Sequence, residues 1–171
     1  MEKKQQDMVL SLMRGDITKE EFSNNFDQEK KSLNVYDLIL KSANEHDSDS
    51  LELSMYIGFS FGFNEREKII NLFNKLLTEN WHHQHEDIAK LLQKYKDPSS
   101  AALLYKATGL YFKYLDLDDE YNAFHVKCIW ALGDIRNKEA VNYLTILSNS
   151  DIGYIKENAK YQLMRIEEER N

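Results

Sequence analysis

Three histidines fall within four residues, His82, His83 and His85, and Glu86 and Asp87 follow at once. Imidazole is a common ligand for transition metals, and carboxylates can complete such a shell. Ligands drawn from one short loop seldom converge without a fourth group from elsewhere, so the HxH spacing alone is weak. Glu86 and Asp87 are also favourable at a helix N-terminus, where backbone N–H groups lack intrahelical partners. The segment therefore reads as a polar turn between helices, and no metal and no cofactor is expected.

A second cluster suits recognition better than catalysis. Asp116, Asp118, Asp119 and Glu120 lie within five residues, flanked by Tyr111, Phe112, Tyr114 and Tyr121. Aromatic rings supply contact area and carboxylates supply charge complementarity, a pairing that fits a basic protein partner. Asp116, Asp118, Asp119, Glu120 and Tyr121 are the expected partner-binding residues. Trp81, His85 and Asp87 from the histidine turn join them, with Asp134 as a further contact. There is no Gly-rich phosphate loop, no GxSxG, no CxxC and no HExxH, so the expected protein is not an enzyme.

Composition bounds the class. The chain has 171 residues, 42% hydrophobic and 30% charged, enough for one globular domain with a real core. One proline and six glycines favour long helices over strands. A net charge of −7 argues against nucleic acid as partner, because neutralising phosphates needs a basic surface. The one cysteine, Cys128, lies in an apolar stripe and is expected to be buried. No segment has the length or apolarity of a signal peptide or a membrane span, so a soluble, cytoplasmic protein with no membrane partner is expected.

Periodicity supplies the elements that must carry these residues. Met8, Val9, Leu12 and Met13 mark a first helix, ended by Arg14-Gly15-Asp16. Thr18 with Glu21 forms a capping box for a second, and Asn34 starts a third. Residues 44–50 read as a polar linker. Leu51, Met55 and Phe59 fall four apart and predict a helix, in which Ser54, Gly58 and Gly62 would make a flat groove. Asn64 with Glu67 resembles another capping box. Asp97-Pro98 opens a further helix, and residues 112–119 read as a loop. The stripe of Cys128, Ile129, Trp130, Ala131 and Leu132 is expected to pack in a core, with Gly133 stopping its helix, Asn137 capping the next, and Ser150 and Asp151 capping the last. The segment starting at Glu86 is similar in kind to the one starting at Glu139, a weak internal repeat.

The pattern Ala131-Leu132-Gly133-x-Ile135, then Glu139-Ala140-Val141, then Ile155-Lys156-Glu157-Asn158-Ala159 resembles HEAT or phycobilin-lyase-type HEAT-like repeats. The resemblance implies an all-α fold: a right-handed α-solenoid of stacked antiparallel helix pairs with about nine or ten helices. One domain would span 1–171, with less regular helices over 1–80 and HEAT-like repeats over 81–171. WHHQHEDIAKLLQKYKDPSS, YLDLDDEY and KCIWALGDI, in that order, resemble small bacterial HEAT-repeat proteins of the kind that serve as immunity proteins in polymorphic toxin or contact-dependent growth inhibition systems. That resemblance implies binding and neutralisation of a cognate toxin domain, a basic nuclease among the options. A HEAT-repeat scaffold or adaptor is the alternative, and a lyase-like enzyme subunit a further one. HEAT-type di-iron hydroxylases hold their metals with several His-Glu pairs, and only His85-Glu86 occurs here.

Overall fold

A computed structural model describes residues 1–26, 33–118 and 120–169. Ten α-helices and no strand occur among them: α1 (Lys3–Arg14), α2 (Lys19–Asn25), α3 (Val35–Glu45), α4 (Ser48–Phe61), α5 (Arg66–Leu76), α6 (His85–Tyr95), α7 (Ala101–Ala107), α8 (Glu120–Ile135), α9 (Lys138–Leu147) and α10 (Gly153–Glu168). Short 3-10 turns cover Pro98–Ser100 and Lys113–Asp118, so much of the expected 112–119 loop is wound. No helix among the described residues is long and apolar enough to cross a membrane. The chain divides into two compact units, residues 1–69 with 81–83, and residues 70–80 with 84–171.

In the first unit α4 packs on α3 and α1, and α1 packs on α2. Gly15 ends α1 at a φ of 77°, a left-handed conformation that glycine adopts without a Cβ penalty. The Thr18–Glu21 box is formed in both directions, and Asn34 accepts the Asp37 N–H. Phe22 stacks on Phe26 at 4.6 Å and on Phe61 at 5.3 Å. The expected 44–50 linker is mostly helix: only His46 and Asp47 separate α3 from α4, because Asp47 accepts the Ser50 N–H and starts the new helix at once. Ser54 and Gly58 do lie at close approaches. Ser54 sits 3.5 Å from Ser42 on α3, and a Cβ at Gly58 would lie 2.2 Å from the Phe63 ring, so the groove there is filled by the same chain. Gly62 falls after the helix, at its C-cap. Asn64 accepts the Tyr36 N–H and donates to the Asn34 side chain, tying itself to the start of α3.

In the second unit α8 is the central helix. It packs on α6 and α10, on α7 and α9, and on the Lys113–Asp118 turn, while α7 and α9 pack on each other. A helix with so many neighbours has little free face, which explains why α8 is apolar over most of its circumference. Cys128, Ile129, Ala131 and Leu132 are all fully buried, and desolvation pushes the Cys128 thiol far up, so it is a protonated small hydrophobe.

A register of forty residues relates the two halves of this unit. Ile88, Leu92 and Leu104 are buried, and so are Cys128, Leu132 and Leu144. Lys96 and Arg136 both end their helix at a positive φ, 53° and 58°. The next residue in each case is an N-cap: Asp97 accepts the Ser99 N–H and Asn137 the Ala140 N–H. The recurrence matches α6 with α8 and α7 with α9. It corrects the expected repeat, which set α6 against α9 by following an acidic start and an aliphatic run that both helix types share.

Two other local expectations are also corrected. Gly133 does not stop α8; it lies inside the helix, buried, where a Cβ would come within 2.1 Å of Gln162 Oε1 on α10. Helix contact, not chain reversal, requires the small residue, and the reversal falls at Arg136. The N-cap of α10 is Ile152, whose N–H is held by the Ser150 hydroxyl.

Candidate interaction surface

Two side-chain constructions stand out in the second unit. The first is a pair of histidine clamps. His85 opens α6 and is fully buried. Its Nε2 lies 2.6 Å from the Glu79 carbonyl and its Nδ1 2.7 Å from the Tyr114 hydroxyl. A carbonyl can only accept, so Nε2 carries the proton, and in the neutral ring Nδ1 accepts from the tyrosine. His125 repeats the arrangement forty residues on: Nε2 is 3.1 Å from the Leu110 carbonyl and Nδ1 2.7 Å from the Tyr154 hydroxyl. Tyr154 is also forty residues beyond Tyr114. Burial holds the His125 imidazole below its ordinary pKa, opposed by the carbonyl contact.

The second is a ladder of side chains joining α6, α8 and α10. Lys127 on α8 donates to Glu86 on α6 at 2.8 Å. Asp134 on α8 accepts from Gln93 on α6 and from Arg165 on α10, each at 2.7 Å. Between these rungs lies Trp130. The sequence stripe placed it in the core, but Ala131, Leu132 and Cys128 fill that side of α8, and the indole is half-buried at the surface. Its N–H donates to Asn158 at 3.1 Å, Tyr161 lies 5.6 Å from the ring, and the Arg165 guanidinium sits 5.6 Å over it. Tyr161 and Met164 extend this patch with large exposed apolar surface. Trp, Tyr and Arg are the residue types that most often dominate binding energy at interfaces.

The expected contact residues are distributed as follows. His85 has no exposed surface, and both ring nitrogens are engaged within the unit. Asp87 is half-buried in the first turn of α6. Asp134 is half-buried at the centre of the ladder. Trp81 belongs to the first unit, where its ring lies 5.1 Å from His46 and meets His82 edge-on. Asp119 lies outside the described residues, and so do the side chains of Asp116, Asp118, Glu120 and Tyr121. Among the described residues no group of three or more His, Cys, Asp or Glu is placed to hold a metal ion.

Sequence reasoning missed His125, Gln93 and Arg165. The signal for His125 was present: two His–Tyr pairs, each 29 residues apart, offset by forty. Gln93 and Arg165 carried no such mark, since their roles depend on which faces of α6 and α10 meet α8. Compared with known proteins, the chain matches no family model, no curated protein and no solved structure.

Proposed function

We propose that the chain is a non-catalytic protein-binding module built as a HEAT-like, right-handed α-solenoid, and that it is an immunity protein which holds and silences a cognate bacterial toxin domain. The observation that carries the repeat reading is the forty-residue recurrence of clamp, left-handed turn and N-cap, a spacing at the short end of the roughly 40–47 residues of HEAT and armadillo units. Contacts of α6 and α10 with α8, and of α7 with α9, suit stacked pairs that bury a continuous core only together. Half-buried Trp130 with exposed Tyr161 and Met164, and the acidic charge, support a protein partner. The charge is uneven: the first unit has nine Lys and Arg against fourteen Asp and Glu, the second thirteen against fifteen, so both units carry net negative charge toward a basic partner.

The test is co-expression with the products of neighbouring genes. A neighbour that is lethal alone, harmless with this chain, and recovered with it as a complex on gel filtration is the expected result. Absence of any toxic neighbour, together with absence of a complex, removes the immunity reading. With the complex in hand, Asp118→Lys with Asp119→Lys should weaken binding to a basic toxin by about tenfold or more, chiefly through slower association. Asp49→Lys with Glu52→Lys makes the same change in the first unit. Unchanged affinity in the first pair and loss in the second would move the contact away from the acidic loop.

A further inference from the structure

We draw no further inference here: the strongest candidate, the outward face of α8 and α10 where Trp130, Tyr161 and Met164 are partly exposed beside the Glu86–Lys127 and Asp134–Arg165 pairs, has those charges matched within the protein, and nothing in the structure shows what covers it.

Discussion

The two histidine clamps are the same device in different surroundings. His85 stands at the first position of α6, and Phe112 lies over its ring at 3.7 Å, with Phe124 edge-on at 5.8 Å. Forty residues after Phe112 comes Ile152, which is exposed and supplies no ring at that position; Phe124 lies 5.8 Å from the His125 ring, tilted against it. His125 instead lies inside α8, five residues from its start, and its own partner Tyr154 runs parallel to it at 6.1 Å. The carbonyls are equivalent in origin, Glu79 three residues after the end of α5 and Leu110 three residues after the end of α7. Both imidazoles lie near Phe124 and the ring of their tyrosine partner; what differs is the stacked Phe112 at His85 and the near-parallel Tyr154 at His125. The hydrogen-bond pattern is common to both, and the packing is local.

The largest contrast is expected from deleting each ring. His85→Ala removes a fully enclosed side chain and strands a carbonyl and a hydroxyl, so it should cost about 2–4 kcal/mol. His125→Ala should cost about 1 kcal/mol less, because Ile152, at the position matching Phe112, is exposed and adds no stacked ring to the site. Urea unfolding of both variants checks the order, and equal losses would mean that the Phe112 cover adds nothing.

A second contrast concerns the helix contacts beside the clamps. At Gly133 the matching residue of the first half is Gln93, so only the second half requires glycine for close approach. Gly133→Val should destabilise by about 1–3 kcal/mol through overpacking against Gln162. Gly133→Ala combined with Gln162→Ala should recover part of the stability relative to Gly133→Ala alone, since the close contacts with Gln162 Oε1 and Cδ are removed and only its Cβ, 3.0 Å away, remains. Thermal melts that show no recovery would place the strain elsewhere.

The left-handed turns offer a smaller effect. Lys96 and Arg136 adopt a conformation that costs an L-residue on the order of 1 kcal/mol, so Lys96→Gly should stabilise by about 0.5–1 kcal/mol. Arg136→Gly should gain less or lose, because the guanidinium also donates to the Gly133 carbonyl and to Glu169. A matched pair of denaturation curves separates the two.

The smallest expected effect is in pH. His125 has a folded pKa below its unfolded value of about 6.5. The unfolded chain therefore takes up the proton first as pH falls. The stability of this group is fully present above about pH 6.5 and is lost as pH drops through the folded value. His125→Gln should flatten the fall in stability between pH 7.5 and 5.5. An unchanged slope would assign that dependence to other groups.

Most of the helices were legible from local signals. Thr18 with Glu21, Asn34, Asp97-Pro98 and Asn137 all start helices where their side chains reach back to free N–H groups, an interaction that spans only three residues. The misreadings share one cause. Residue type alone points to a helix stop at Gly133 and a core position for Trp130, yet their roles depend on what lies across from them. A glycine that admits Gln162 from α10 has the same local sequence as a glycine that ends a helix. A tryptophan in an apolar stripe faces the core only if smaller neighbours do not already fill it. Histidine follows the same rule: the cluster at 82–85 is the denser signal in the sequence, while His125 stands alone and makes an equivalent clamp.

By itself the sequence determined the all-helical class, the positions of most helix starts and the burial of Cys128, because caps and periodicity act over one or two turns of chain. Only tertiary structure decided the forty-residue register, the partners of His85 and His125, the surface position of Trp130 and the packing role of Gly133. Those depend on side chains about 30 to 40 residues apart meeting across helix faces, and no local pattern records which faces meet.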